Sequence, residues 1–131
     1  MKDKGSITKA FNKHLFEFID DILLIYPGNE EILYAKTSFE SIKKLNVTAI
    51  IKAWYSHIYI PYSAQIDNGN IDYFIQKDYS ADLVNLQNGG DIIKMIDNIR
   101  RPISTMDNNN KEYCVKYIQN LSKLSIAYNN M

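Results

Sequence analysis

Cysteine is almost absent from this sequence, which contains only Cys114 among its 131 residues. A single cysteine excludes an internal disulfide framework and a four-cysteine zinc site. Net charge is missing as well, because 15 basic residues balance 15 acidic ones, so the chain has no general attraction to nucleic acid or to an anionic membrane. With only three prolines and five glycines, it is not a collagen-like or Gly/Pro-rich polymer.

Long hydrophobic runs are also absent. The densest apolar run, Ile22 to Tyr26, falls far short of the roughly 20 residues that a transmembrane helix needs. No apolar signal-peptide segment follows Met1. We therefore expect an intracellular protein that is not secreted and does not associate with a membrane, which is also the setting in which a free cysteine persists.

Four residue types dominate the composition: 20 Ile, 14 Asn, 13 Lys and 10 Tyr. Their codons are rich in A and T, so genome composition accounts for most of this bias. A hydrophobic content of 46% excludes disorder over the full length. Because the length is typical of one domain and no repeat or linker divides the chain, the sequence predicts a single domain over residues 1–131.

Helical periodicity predicts an all-α fold, a compact bundle of five to seven helices. A first helix is expected from Ile7 to Tyr26 after a Ser6 cap, and a second after an Asn29 cap. The second helix should bury a stripe that ends at Leu45. A short helix is expected over 71–76, followed by a short turn near 80–88. Further helices are expected over 91–102 and, after an Asn110 cap, to the C-terminus, the last with an apolar face that includes Tyr113 and Cys114.

The segment 47–60 is predicted to be the central helix, because it is apolar over most of its circumference. One stripe contains Val47 and Trp54, and a tyrosine stripe lies beside it. Pro61 should end or kink this helix. The turn signal over 67–70 leaves a short hairpin near 58–79 as an alternative to the short helix over 71–76.

The sequence contains no motif for catalysis or for binding a metal or cofactor. The glycines form no phosphate-binding pattern, and the acidic residues near Gly69 do not have EF-hand spacing. His14 and His57 have no Cys or His at ligand spacing, and Cys114 lies on an apolar stripe where a free cysteine is usually a small core residue. We therefore expect no catalytic, metal or cofactor site, and a protein that is not an enzyme.

The features that suggest function are an excess of tyrosine and a charge split. Residues 66–91 carry five Asp against Lys77, a net −4, whereas residues 92–131 carry six basic against three acidic residues, a net +3. An aromatic stripe and a charged end are typical of protein interfaces, self-association included. Gly89 and Gly90 form a candidate hinge. The candidate interaction surface comprises aromatic and basic residues: Tyr55, Tyr59, Tyr62, Arg100, Arg101, Lys116 and Lys123.

Three stretches, read with the break at Pro27-Gly28-Asn29, carry a family resemblance. They are Phe11 to Asp21, Ile66 to Phe74 continuing to Lys77-Asp78-Tyr79, and Tyr117 to Leu121. The chain resembles small uncharacterised α-helical proteins of the nucleocytoplasmic large DNA viruses, which infect algae and amoebae. The resemblance implies a viral protein and a virion component, found in the virion or the host cytoplasm, and it carries over no active-site residue.

These observations favour a non-enzymatic viral structural or protein-interaction protein that acts through helix-face contacts with itself or another protein. One alternative is a modulator that binds a helix of a host protein in a groove, which would require a long concave apolar cleft. A second alternative, single-stranded nucleic-acid binding, would require the basic residues of the C-terminal region to share one face. Nucleic acid is the less favoured partner because the chain has no net charge.

Overall fold

A computed structural model describes residues 3–70 and 90–130 of the chain, and helices occupy most of both ranges. The helical segments, numbered among the described residues, are α1 (Lys4–Ile25), α2 (Glu30–Leu45), α3 (Ala49–Ala53), a π-helical segment (Trp54–Tyr59), α4 (Ile60–Asp67), α5 (Gly90–Ile103) and α6 (Asn108–Asn129). The segments from Ala49 to Asp67 follow one another without a break and form one continuous helix, which we call the central rod. Counted in this way, the described residues form five helices. These residues contain no strand, and the predicted all-α class is confirmed.

The first two helices begin at side chains that accept hydrogen bonds from the first turn. The Asp3 carboxylate accepts from the Ser6 N–H at 2.7 Å, so α1 begins at Lys4, and the prediction of a Ser6 cap is wrong. The Asn29 side chain accepts from the Ile32 N–H at 3.0 Å, which confirms the predicted cap of α2. Each bond satisfies a donor that the helix itself leaves unpaired.

The central rod starts two residues later than predicted and continues past Pro61. Val47 is 51% exposed and lies outside the buried stripe. The alternative of a hairpin near 58–79 is wrong, because its first strand would fall on residues that form the π-helical segment and α4. The predicted short helix over 71–76 and the predicted turn near 80–88 lie outside the described residues.

Pro61 kinks this rod instead of ending it. Proline has no N–H, and its ring crowds the carbonyl one turn earlier. The chain accommodates it with the wider turns of Trp54–Tyr59 before the proline and a non-helical backbone at Tyr62 (φ −121°, ψ 21°) after it. A π-helical turn of this kind is frequent at kinks and functional sites.

The core is centred on Trp54, as expected for the central helix. α1 packs chiefly along α6, and α2 packs against α5. Trp54 is 2% exposed, and its indole N–H donates to the buried Ser122 hydroxyl of α6 at 3.0 Å. The ring of Phe11 meets it edge-on with centroids 6.0 Å apart. Trp54 therefore joins α1, the central rod and α6.

The cap of α6 offers a direct test of the local structure. The Asp107 carboxylate accepts from the Asn110 N–H at 2.8 Å, so Asp107 is the cap and the predicted Asn110 cap is wrong. Asp107→Ala is expected to lower the free energy of unfolding by about 1 kcal/mol, measured by urea denaturation. The matched control Asn110→Ala removes a side chain that does not cap α6, and an equal loss from both variants would contradict the assignment.

Candidate functional site

The tyrosines predicted to form an interaction surface separate into two groups. Tyr55 and Tyr59 are half-buried on the π-helical segment, with stacked rings whose centroids are 6.1 Å apart. Tyr62, in contrast, follows the kink and is only 5% exposed. Only Tyr55 and Tyr59 therefore remain at the surface as a pair, because the backbone change at Tyr62 turns its ring into the core.

Tyr59 lies beside one of the predicted basic residues. Its hydroxyl donates to the Asp67 carboxylate at 3.2 Å, and burial together with the nearby Asp67 charge raises the pKa of Tyr59. Tyr59, Asp67 and Lys123 line the same small pocket of about 190 Å³. Lys116 is exposed two helical turns before Lys123, on the same side of α6.

The remaining predicted residues lie on or before α5. Arg101 is exposed, with one guanidinium nitrogen 3.7 Å from the Glu31 carboxylate of α2. The side chain of Arg100 and all of Gly89 lie outside the described residues, and Gly90 is the first residue of α5. The structure thus brings Tyr59 and Lys123 together and places Arg101 against α2. The glycine hinge stays a prediction.

A larger concave surface, which the sequence did not reveal, lies between α1 and α2. This α1–α2 groove has a volume of about 950 Å³ and extends along α1 from Lys4 to Asp20, roughly 24 Å of helix. Thr8, Asn12 and Phe16 repeat every four residues along its floor. The residues of α2, of the α2–α3 connection and of the end of α6 that line it are Lys36, Glu40, Lys43, Val47, Thr48 and Tyr128.

Lysines outnumber acids around the α1–α2 groove. Two of them cover aromatic rings: Lys4 Nζ lies 4.9 Å from the Tyr128 ring centre, and Lys43 Nζ lies 5.3 Å from that of Phe16. Both are within the range of cation–π attraction. Lys9 and Lys13 lie exposed along α1 and form no ion pair with any described residue.

One lysine of the groove is paired. Lys36 Nζ is 2.7 Å from an Asp20 carboxylate oxygen, and the hydrogen bond with Asp20 raises the pKa of Lys36. In all, five lysines face three acids in the lining: Lys4, Lys9, Lys13, Lys36 and Lys43 against Glu17, Asp20 and Glu40. The groove is therefore electropositive, although the chain as a whole is neutral.

Asn12 supplies a buried polar group at the floor of the groove. It is only 2% exposed, and its amide nitrogen donates to the Val47 carbonyl at 3.0 Å, which ties the α2–α3 connection to α1. Its carbonyl oxygen accepts no hydrogen bond from the described residues. Most buried acceptors are paired, so the Asn12 carbonyl oxygen beneath the groove is an exception. In the sequence, the only sign of this groove was the presence of two polar residues, Thr8 and Asn12, within the apolar stripe of α1.

A second concavity, of about 300 Å³, lies between the end of α1 and the start of α6. We call it the α1–α6 pocket; it is lined by Phe18, Asp21, Asn110, Tyr113, Cys114 and Tyr117 together with apolar residues of α1. Cys114 is 4% exposed, its thiol lies 3.7 Å from the Met106 sulfur, and burial raises its pKa to about 12. At neutral pH Cys114 is thus a protonated core thiol, as the sequence predicted.

His14 lies next to Tyr117, with ring centroids 4.7 Å apart, and burial lowers its pKa. Within the described ranges, no three His, Cys, Asp or Glu side chains are placed to hold a metal ion. In those same ranges, no helix is both long and apolar enough to cross a bilayer.

The comparisons with known proteins add no relative. No family model, curated protein or solved structure matches the chain. The resemblance to viral proteins and the virion role that it implies stay predictions.

Proposed function

We propose that the protein is a non-enzymatic interaction protein that binds an acidic, amphipathic helix of a partner protein in the α1–α2 groove. The observation that carries this proposal is the α1–α2 groove itself, an electropositive channel along α1 and α2 in which Phe16, Val47 and Tyr128 supply the apolar lining. A groove of this kind is the usual receptor for an amphipathic helix, whose apolar residues repeat along one side.

The dimensions of the α1–α2 groove suit a helical occupant. About 24 Å of α1 borders it, which equals the length of a helix of roughly 16 residues. Phe16, Val47 and Tyr128 offer apolar surface to such a helix, and Val47 is 51% exposed without an occupant. Burial of this surface supplies the affinity, since each square ångström of apolar area removed from water contributes about 25 cal/mol.

The charges around the groove select the occupant. Lys9 and Lys13 have no acidic partner among the described residues, so carboxylates along the sides of the bound helix would pair with them. If the chain is viral, as its resemblance implies, the partner is another virion protein or a host protein.

The proposal is tested with a designed 16-residue amphipathic helix that carries Glu along both sides of its apolar face. We expect this peptide to bind, by fluorescence anisotropy at low salt, and to weaken as salt screens the charges. Lys9→Glu/Lys13→Glu should lower its affinity about tenfold or more, because two attractions become repulsions.

The matched control reverses two exposed lysines outside the groove, Lys44→Glu/Lys52→Glu, and gives the same net charge. This control should bind the peptide like the unchanged protein. An equal loss of peptide affinity in both variants would mean that only net charge matters, and would contradict binding in the groove. Absence of binding to any amphipathic helix, together with self-association in light scattering, would point to a second copy as the occupant.

A further inference from the structure

The α1–α6 pocket has aromatic walls and one carboxylate. Tyr117 stacks on Phe18 with centroids 4.9 Å apart, and the Tyr113 ring is inclined by 41° to the Tyr117 ring at 6.5 Å. Tyr113 is 65% exposed, so one of its faces is open to a ligand. Two non-parallel tyrosine rings therefore border the same concavity.

The field inside the α1–α6 pocket is negative. Among the described residues that line it, Asp21 is the only charged one. Burial raises the pKa of the Cys114 thiol, and the Asp21 charge on the same pocket raises it further. One Asp21 oxygen accepts from the Tyr117 hydroxyl, and the other accepts no hydrogen bond from the described residues.

We propose that the α1–α6 pocket binds an organic ammonium cation, a quaternary or methylated ammonium group, between Tyr113, Tyr117 and Asp21. The faces of aromatic rings are electron-rich and attract cations, and methylation suits the ammonium to an apolar pocket because it removes N–H donors that would need partners. A volume of about 300 Å³ accommodates a trimethylammonium group with its attached chain.

The site is independent of the α1–α2 groove. The consecutive residues Asp20 and Asp21 point to different surfaces, since Asp20 pairs with Lys36 in the groove and Asp21 lines the pocket. The ammonium group can come from a small molecule or from a methylated lysine of a partner protein. Both sources present the same group to the rings.

The test compares choline with 3,3-dimethylbutan-1-ol. The alcohol has the same shape as choline, but a neutral carbon replaces the charged nitrogen. We expect choline to shift the aromatic NMR signals of Tyr113 and Tyr117 at millimolar concentration, and the neutral alcohol to bind at least fivefold more weakly. Equal binding of the two compounds would overturn the proposal, because the pocket would then be only apolar.

Two variants locate the site. Tyr113→Ala removes an exposed ring, and Asp21→Asn keeps the shape but removes the charge; each should weaken choline binding about fivefold or more. The matched controls are Tyr34→Ala, at a tyrosine that is 60% exposed on α2, and Asp20→Asn, at a residue of the α1–α2 groove. Neither control should change the affinity for choline. Unchanged binding in the pocket variants overturns the assignment.

A short peptide with one trimethyllysine, compared with the same peptide carrying unmodified lysine, distinguishes the sources. A preference for the methylated peptide identifies a partner protein as the source. Binding of choline without that preference identifies a small-molecule ammonium. If neither probe binds, the pocket is not a cation site.

Discussion

Replacing Trp54 with alanine is expected to lower the free energy of unfolding by about 3 to 5 kcal/mol. The indole is 2% exposed and meets Phe11 of α1 and Ser122 of α6, so its removal leaves a cavity where three helices join. Because a domain of this size is stable by only about 5 to 15 kcal/mol, this variant should retain at best a marginal fold. Urea denaturation followed by circular dichroism measures the loss.

Two milder variants separate packing from hydrogen bonding at Trp54. Trp54→Phe keeps most of the ring but removes the N–H that donates to Ser122 at 3.0 Å, and Ser122→Ala removes the acceptor. Each should cost about 1 to 2 kcal/mol, and the double variant should cost less than their sum because the two changes remove one bond. Additive losses would contradict the bond. Leu45→Ala, at a residue 89% exposed, is the neutral control.

Local sequence signals predicted the class of the fold and part of its detail. The period of apolar residues indicated helices on both sides of Pro27-Gly28, and the Asn29 cap was confirmed. These signals act within a few residues, where capping and side-chain spacing are decided by the chain itself. The local signals gave the wrong cap where two polar residues three positions apart could both cap a helix, as Asp3 and Ser6 could for α1.

The other wrong predictions concern contacts between helices, which the pattern of residues within one helix does not determine. Leu45 and Tyr113 continue apolar stripes, yet they are 89% and 65% exposed because no described element covers them at the helix ends. Pro61 could end a helix or kink it, and the outcome depended on wider turns before it. The α1–α2 groove draws on three helices and one connection, so no single periodicity predicts it.

α1 organises both proposed sites because three of its faces have different neighbours. Phe11, Leu15 and Ile22 enter the core, Asn12 and Phe16 form the floor of the groove, and Asp21 borders the pocket. A helix that packs on one side only would present one exposed face. Here α2 and α6 flank α1, and each leaves a concavity along it.

Alkaline pH is expected to destabilise the protein from about pH 9 upward, in part through Cys114. Its thiol has a pKa near 9 in the unfolded chain and about 12 in the folded one, because burial and then Asp21 disfavour the thiolate. The stabilising contribution is therefore complete below pH 9 and is lost as pH rises toward 12. One proton released only by the unfolded chain lowers the free energy of unfolding by at most about 1.4 kcal/mol per pH unit.

Tyr117 should add to this loss above pH 10, its ordinary pKa, because burial and its hydrogen bond to Asp21 raise the pKa further in the folded state. Urea denaturation at pH 7, 9, 10 and 11 measures the profile, and the rate at which a thiol reagent modifies Cys114 reports its protection. Cys114→Ala should flatten the profile between pH 9 and 10 and leave only the smaller fall that Tyr117 contributes above pH 10. A profile unchanged by Cys114→Ala would mean that the thiol titrates alike in both states, since only a difference between folded and unfolded proton binding makes stability depend on pH.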